Sequence, residues 1–232
     1  MITLKLLDQL ESYYGPKTPC WPTDPYQFLV WWHCGYPASD EACARGWDSL
    51  QRTIGVEARH ILAASPTALT KALKPGGMVP ETRALRLQQI AARIVEEFDN
   101  DLSAALRASP KSARKLLKEF PGISDPGADR ILLFAGIAPI AAVPSNCPQV
   151  LVRVHRQQEN PDYAATYREA KAIIESDIPE NFPARTRAYL LLKQHGQEIC
   201  KRTKPRCRLC PINSSCKWFE ASQQRTPQSI LL

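Results

Sequence analysis

The chain has 232 residues, of which 44% are hydrophobic and 23% charged, so it can bury one sizeable core or two small ones and is not a disordered protein. Its formal net charge of +7 favours a polyanionic partner such as nucleic acid. Residues 1–15 carry charges every few positions, which excludes a signal peptide, and no apolar run is long enough to span a membrane. We therefore expect a cytoplasmic protein whose eight cysteines are free or metal-bound rather than paired in disulfides.

Helix signals follow one another from the start of the chain. An amphipathic run over 1–14 ends at Gly15-Pro16, and a proline-rich link separates it from the next element. Asp24 precedes a first-turn proline and an aromatic run, a pattern that predicts a capped and buried helix. Ser39 and Ser65 occupy the N-cap positions of two further helices.

The longest helical pattern covers residues 80–98. Its apolar positions recur at helical spacing, and Arg83, Arg86 and Arg93 occupy other positions. We interpret these arginines as a solvated face, with phosphate contact as the alternative. No strand pair, repeat or low-complexity segment is recognisable, so the sequence predicts an all-α fold of about ten short helices.

A tight turn between two helical runs is the centre of the sequence. Pro121 cannot continue the first helix and Gly122 tolerates positive φ, so the N–H groups that open the next helix lack intrahelical partners. Such groups, together with the helix dipole, can bind a phosphate, although an ordinary helix turn explains the same residues. We call residues 120–127 the hairpin. The candidate phosphate-binding positions are Gly122, Ile123, Ser124, Gly127 and Ala128.

Four cysteines near the C-terminus have the most specific spacing in the sequence, because Cys200, Cys207, Cys210 and Cys216 are separated by six, two and five residues. Prolines and the lack of helical periodicity indicate a loop around a compact centre, which favours an iron–sulfur cluster. Zinc is the first alternative, but it usually takes two close cysteine pairs, and disulfides are a weaker one. The other cysteines are expected to be small buried residues: Cys20, Cys34, Cys43 and Cys147.

Basic side chains are concentrated in the same segment, residues 200–216, which we call the cluster loop. They are more numerous than support of the ligands requires, so they predict a rigid surface loop aimed at phosphates. These residues are Lys201, Arg202, Lys204, Arg206 and Arg208.

Three motifs in order, FPGIS at 120–124, GIAPIAAVP at 136–144 and the cysteine tail, resemble the endonuclease III branch of the helix-hairpin-helix-GPD DNA glycosylase superfamily. The resemblance extends in helix pattern over most of the chain. It implies two helical lobes with double-stranded DNA between them. One lobe would be 20–137 with the hairpin, and the other 1–19 plus 138–232 with a [4Fe–4S] cluster. Family members flip a damaged base out of the duplex and cut its glycosidic bond.

The sequence departs from this family at two positions that carry its chemistry. The register of the hairpin places Pro126 where strand-nicking members have a nucleophilic lysine, so no β-lyase step is expected. Pro144 stands where the family has the aspartate that stabilises the sugar cation or activates water. Loss of such electrostatic stabilisation costs several kcal/mol and therefore orders of magnitude in rate.

Few other groups could replace the missing aspartate. Asp125 lies in the hairpin and is the candidate displaced acid, whereas Asp129 is expected to face solvent or to compensate the helix dipole. Ser145 and Asn146 could position a water molecule but are not bases of useful strength. The histidines have no motif context and are expected to be structural or exposed: His33, His60, His155 and His195.

These observations predict a monomeric DNA-binding protein of base excision repair that recognises damaged or distorted double-stranded DNA. Its standard glycosylase and lyase activities would be lost or strongly reduced. One alternative is a monofunctional DNA N-glycosylase that uses a displaced acid. Another is an iron–sulfur protein whose DNA affinity responds to oxidation of the cluster.

Overall fold

The structure, a computed structural model, describes residues 2–224, and for Ile2 and Pro110 the backbone alone. This range contains thirteen α-helices, three short 3₁₀ helices and no strand, so the all-α prediction is confirmed, although the expected number of helices is too low. None of these helices is both long and apolar enough to cross a lipid bilayer. The α-helices are α1 (Ile2–Tyr14), α2 (Pro25–His33), α3 (Asp40–Thr53), α4 (Ala58–Ala63), α5 (Pro66–Leu73), α6 (Pro80–Phe98), α7 (Leu102–Ala108), α8 (Pro110–Lys118), α9 (Asp125–Phe134), α10 (Gln149–His155), α11 (Tyr163–Asp177), α12 (Phe182–Glu198) and α13 (Lys217–Gln224). The 3₁₀ helices are Lys74–Gly76, Cys207–Leu209 and Asn213–Ser215.

The chain divides into two compact units. The central unit is Pro19–Ala138, and the terminal unit combines the described residues of Met1–Thr18 and Pro139–Leu232. The lobe boundaries expected from the sequence lie one residue away from each of these limits.

The helices of the central unit begin at the capping residues that the sequence indicates. The Asp24 carboxylate accepts a hydrogen bond from the Gln27 amide at 2.9 Å. Ser65 accepts one from the Ala68 amide at 3.2 Å, and Ser39 caps α3 in the same way. Each such cap contributes about 1 kcal/mol because it satisfies an N–H group that the helix leaves open.

Helix α6 is the centre of the central unit and packs against α2, α4 and α5. Its residues Leu87, Ile90 and Ile94 are buried, and each stabilises the fold by about 2 kcal/mol through removal from water. Helix α2 is buried along most of its length, as its aromatic sequence predicts. These helices form the support on which α8, the hairpin and α9 depend.

The three arginines of α6 do not form one solvated face. Arg83 is completely buried, and its guanidinium donates to the carbonyl oxygens of Leu73 at 3.0 Å and Gly77 at 2.8 Å. The expectation that Arg83 is solvated is therefore wrong, because backbone carbonyls of the α5–α6 connection provide its partners. Arg93 does lie near the surface, 2.7 Å from the Glu97 carboxylate.

The terminal unit has its own core around α10, which contacts α11, α12 and α13. Val150, Leu151 and Val152 of α10 are buried in a cluster that also contains Leu7 and Leu10 of α1. Burial of these side chains holds the first helix against the C-terminal helices. The cysteine-rich segment between α12 and α13 packs on the same core.

Candidate functional site

The hairpin connects α8 to α9, and buried side chains hold it in place. Phe120 and Ile123 are 1% and 6% exposed, and Gly122 has a φ of 71°, a value that favours glycine. Ser124 is the N-cap of α9, but its hydroxyl accepts no capping hydrogen bond. The side chain of the cap therefore does not occupy the N–H groups of the first turn, which can face an anion.

Backbone hydrogen bonds narrow the set of candidate amides. The Ile123 N–H donates to the Phe120 carbonyl at 3.2 Å, and the Ala128 N–H donates to the Ser124 carbonyl at 2.9 Å. One of these amides thus donates within the turn, and the other makes the first hydrogen bond of α9. This differs from the expectation that both N–H groups are open to a phosphate. Within residues 2–224, the candidate amides that donate to no backbone carbonyl are those of Gly122, Ser124 and Gly127.

His33 of α2 anchors the hairpin, although no sequence motif marks this residue. Its Nδ1 lies 2.8 Å from the Leu29 carbonyl oxygen, and its Nε2 lies 2.8 Å from the Pro121 carbonyl oxygen. Burial lowers the pKa of His33 to about 4, and the charges of Arg86 and Arg83 act in the same direction. A neutral imidazole has a single N–H, so at neutral pH only one of the two carbonyls accepts a hydrogen bond from it.

The same side chain confines Gly122. A Cβ at this position would lie 3.2 Å from His33 Nε2 and 3.5 Å from Arg86 Nη1. Glycine is therefore required both for its φ and for the space beside the imidazole. The sequence contained the local signal for this turn, but His33 and Pro121 are 88 residues apart, and no spacing rule connects them.

Two acidic residues, Asp125 and Asp129, form ion pairs with basic residues of α8. The Asp125 carboxylate lies 2.6 Å from Lys118 Nζ and 3.4 Å from Arg114 Nη2. Asp129 is completely buried and accepts two hydrogen bonds from Arg114, at 2.6 and 3.2 Å. The expectation that Asp129 faces solvent is wrong, because Arg114 gives it a buried bidentate partner. These contacts hold α8 to α9 and engage Asp125, the candidate displaced acid.

The two prolines at the expected catalytic positions fit their local backbone. Pro126 lies in the first turn of α9, where its fixed φ suits the start of a helix. Pro144 is buried, and its carbonyl accepts a hydrogen bond from the Cys147 amide at 2.9 Å. Neither side chain offers an amine or a carboxylate.

A polar pocket of about 180 Å³ lies in the terminal unit beside the turn that follows Pro144. Ser145 and Asn146 line this pocket together with Glu159. The Glu159 carboxylate pairs with the buried guanidinium of Arg153. The pocket therefore brings a carboxylate to the residues after Pro144, and no motif in the sequence indicated it.

All four predicted cluster cysteines line a single pocket. Cys200, Cys207, Cys210 and Cys216 surround it together with apolar and aromatic side chains. In the described part of the chain, no three His, Cys, Asp or Glu side chains form a group that could hold a single metal ion. Burial raises the pKa of Cys200 to about 11 and that of Cys210 to about 12. The uncoordinated thiols are therefore neutral, and metal binding would release their protons.

Arg153 of α10 fastens the start of the cluster loop. It is 3% exposed, its Nη1 lies 3.5 Å from Cys200 Sγ, and the same atom donates to the Lys201 carbonyl at 2.8 Å. Its Nη2 donates to the Arg202 carbonyl at 3.1 Å. The guanidinium also favours a negative charge on the Cys200 sulfur.

His195 of α12 makes the second polar contact with a cysteine sulfur. Its Nε2 lies 3.5 Å from Cys210 Sγ, and its Nδ1 lies 3.0 Å from the Tyr14 hydroxyl oxygen. Burial lowers the pKa of His195 to about 4 and raises the pKa of Tyr14. No spacing in the sequence indicates these contacts, because the residues lie in separate segments of the chain.

The basic residues of the cluster loop are presented at its surface. Lys201 is partly buried, whereas Arg202, Lys204, Arg206 and Arg208 are exposed. Their exposure leaves them accessible to solvent, and their contact with phosphates stays a prediction.

The remaining cysteines follow the sequence expectation with one exception. Cys34, Cys43 and Cys147 are buried, but Cys20 is exposed, with its Sγ 3.8 Å from an Asp40 carboxylate oxygen. The expectation of burial is wrong for Cys20, which lies in the segment before α2 rather than on a packed helix face.

Comparisons with known proteins agree with this architecture, although no family model matches the chain. Endonuclease III of Sulfolobus acidocaldarius is 24% identical over 189 residues, which cover 78% of this chain and 77% of the relative. The thymine/uracil-DNA glycosylase of Pyrobaculum aerophilum is 24% identical over 162 residues, covering 69% and 66%. A solved non-covalent endonuclease III–DNA complex matches with a TM-score of 0.74 and 15% identity over 97% of each chain. The homologues and structural neighbours are thus endonuclease III and related DNA glycosylases, which confirms the resemblance.

Proposed function

We propose that this endonuclease III-like protein acts in base excision repair by recognising damaged or distorted double-stranded DNA, with the standard glycosylase and lyase activities lost or strongly reduced. Relatives that are DNA glycosylases support a role in DNA repair. The proposal of DNA recognition without catalysis rests on the hairpin. Its helix N-terminus has no side-chain cap, and Pro126 stands at the position of the nucleophile.

The hairpin would hold one DNA phosphate through its backbone. The amides of Gly122, Ser124 and Gly127 lie at the positive end of α9, where an anion gains from both N–H groups and dipole. The cluster loop would contact a second phosphate with its exposed arginines and Lys204. Each neutralised phosphate contributes about 0.9 to the slope of log affinity against log salt concentration, so binding should weaken steeply with salt.

The lyase step requires an amine that attacks the sugar and forms a Schiff base. The Pro126 nitrogen is part of a peptide bond and cannot do so. Lys118 is the nearest lysine in sequence, but its ammonium is engaged by Asp125 at 2.6 Å. Glycosidic cleavage in turn requires negative charge near the sugar cation, and the buried Pro144 supplies none.

We infer that the four cysteines hold a [4Fe–4S] cluster. A structural zinc site usually takes two close cysteine pairs, and here only Cys207 and Cys210 are closely spaced. In a cluster each thiolate binds a different iron, so the sulfurs can line a wider pocket. Bound there, the cluster would supply redox-active iron and a rigid support, while Arg153 and His195 favour charged cysteine sulfurs.

A second candidate function is base excision by a monofunctional glycosylase. The polar pocket that follows Pro144 favours it, because Glu159 places a carboxylate beside Ser145 and Asn146. Asp125 is the other candidate, and basic residues engage both acids: Lys118 and Arg114 contact Asp125, and Arg153 contacts Glu159. In this mechanism Glu159 would stabilise the sugar cation, and no covalent intermediate with the protein would form.

The experiment is a single-turnover assay of purified, iron-loaded protein against duplexes that each carry one oxidised, deaminated, alkylated or abasic site. Binding and base release are measured on every duplex, and undamaged duplex is the control. We expect tighter binding to at least one lesion than to undamaged DNA, without base release. Equal affinity for all duplexes would contradict lesion recognition. Base release that is lost in Glu159→Gln but kept in Asp125→Asn would establish the second candidate instead.

A further inference from the structure

Tyr14, His195 and Cys210 form a continuous line of polar contacts in the terminal unit. We propose that Tyr14 and His195 form a hydrogen-bond relay that ends on the Cys210 sulfur and stabilises the reduced state of the cluster. The inference rests on the proposed [4Fe–4S] cluster and assigns a function to two residues outside the ligand set.

The relay is defined by two distances and by burial. The Tyr14 hydroxyl oxygen lies 3.0 Å from His195 Nδ1, and His195 Nε2 lies 3.5 Å from Cys210 Sγ. The second distance is within the range for a hydrogen bond to sulfur, which is a larger acceptor than oxygen. His195 is 1% exposed, so water does not compete for these contacts.

The direction of both hydrogen bonds follows from the acceptor at the end of the relay. A cysteine sulfur that binds iron carries no proton, so it can only accept, and His195 Nε2 must carry the hydrogen. With the hydrogen on Nε2, the lone pair of Nδ1 accepts from the Tyr14 O–H at 3.0 Å. Tyr14 therefore selects the tautomer of His195 that donates to Cys210.

A donor at this position affects the cluster in a definite direction. Reduction adds negative charge that is shared with the cysteine sulfurs, and a hydrogen bond to a sulfur stabilises that charge, which raises the reduction potential. Arg153 contacts a different ligand, with its Nη1 3.5 Å from Cys200 Sγ. Substitutions of Tyr14 or His195 leave the Arg153 contact in place, so they isolate the effect of the hydrogen bond to Cys210 on the reduction potential.

The relay also depends on an element far away in the sequence. Tyr14 is the last residue of α1 and is separated from His195 by 181 positions. Its ring packs edge-on against the imidazole at 6.0 Å between centroids, a contact that phenylalanine would preserve. Replacement of Tyr14 by phenylalanine therefore removes the hydrogen bond and leaves the packing.

The test measures the midpoint potential of the cluster in full-length, iron-loaded protein by redox titration followed by electron paramagnetic resonance. In Tyr14→Phe we expect a lower potential, with the reduced-to-oxidised ratio at a fixed applied potential falling by up to about tenfold. That ratio corresponds to about 59 mV for one electron. Tyr13→Phe is the matched control, because Tyr13 is the adjacent residue and is 56% exposed. Its potential should equal that of the wild type.

Variants at His195 test the donor itself. His195→Leu should lower the potential further than Tyr14→Phe does, and His195→Gln should restore part of the difference because its amide can still donate. The Fe–S(Cys) stretching frequency in resonance Raman spectra should shift in the same order, which a purely structural role would not produce.

The outcomes separate this inference from the proposed function. Iron-loaded Tyr14→Phe and Tyr13→Phe with equal potentials would overturn the relay and leave the proposed function standing. Protein that purifies with zinc and no iron would overturn both the cluster and the relay. Shifted potentials together with equal affinity for damaged and undamaged DNA would establish the relay and contradict lesion recognition.

Discussion

The hairpin and the cluster loop are both proposed to contact DNA phosphates, but they are built in different ways. The hairpin lies between two helices, and Phe120, Ile123 and His33 support it from a packed interior. The cluster loop contains two 3₁₀ turns, Cys207–Leu209 and Asn213–Ser215, neither of which has a buried residue.

This difference concerns the source of rigidity. Apolar burial and the ion pairs between α8 and α9 hold the hairpin without any cofactor. The cluster loop has Arg153 at its start, Ile212 in the core and a hydrogen bond from the Asn213 side-chain amide to the Cys207 carbonyl, and we expect binding of a cluster by its cysteines to add to this order. A phosphate site made by packing should therefore survive metal loss, whereas one made by ligation should not.

The largest expected effect is loss of the cluster ligands. Cys207→Ser should abolish iron binding and visible absorbance, and it should weaken DNA binding by about tenfold or more because the loop's cations lose their fixed positions. Helical content measured by circular dichroism should stay close to that of the wild type, because the helices of the central unit need no metal. Cys20→Ser, at an exposed cysteine outside the loop, is the control and should bind iron normally. A Cys207→Ser variant with full iron content would contradict the ligand assignment.

The next effect is acid destabilisation through His33 at the hairpin. Its pKa in the folded protein is about 4, below the value of 6.5 for an unperturbed histidine. The unfolded chain therefore takes up a proton first as pH falls, and stability that is present above pH 6.5 is lost between about 6.5 and 4, by up to about 3 kcal/mol.

Urea denaturation at pH 7, 6 and 5 measures this loss. His33→Gln should show a smaller loss over this range, and His60→Gln, at an exposed histidine, should lose as much as the wild type. If His33→Gln and His60→Gln have the same pH dependence, His33 does not contribute.

Gly122→Ala tests the space beside the imidazole. Alanine at a φ of 71° costs about 1–2 kcal/mol, and its Cβ would meet His33 Nε2 at 3.2 Å. Gly136→Ala is a matched control, since Gly136 has a φ of 64° and no heavy atom within 4 Å of its Cβ. Denaturation should show a cost in both variants and a larger one for Gly122→Ala. Fluorescence anisotropy should show weaker DNA binding for Gly122→Ala alone. Equal DNA affinity in the two variants would contradict a role of the hairpin in binding.

The smallest expected effect belongs to Asp125. Its carboxylate is partly exposed, so the ion pair with Lys118 contributes about 1 kcal/mol or less to stability. Asp125→Asn should change the free energy of unfolding by about 1 kcal/mol or less relative to the wild type, and it should not reduce lesion binding. Stronger DNA binding is the expected direction, because the substitution removes a negative charge from the hairpin. Loss of lesion binding in this variant would instead indicate that Asp125 contacts DNA.

Much of the architecture follows from local sequence signals. Asp24, Ser39 and Ser65 cap helices because a short polar side chain reaches its own helix's amides, whatever lies around it. Pro121 and Gly122 make the turn for equally local reasons. The spacing of the four cysteines likewise indicated a shared centre, and the structure brings all four to one pocket.

What the sequence determined by itself was therefore the helices, the turn and the grouping of the four cysteines. Only the tertiary structure decided which polar groups are buried and what they meet. Arg83 lies among backbone carbonyls, Asp129 meets Arg114, and His33 reaches Pro121 from 88 residues away. The reason is physical: a cap or a turn is closed within a few residues, whereas the partner of a buried charge is supplied by packing between distant helices, which periodicity does not specify.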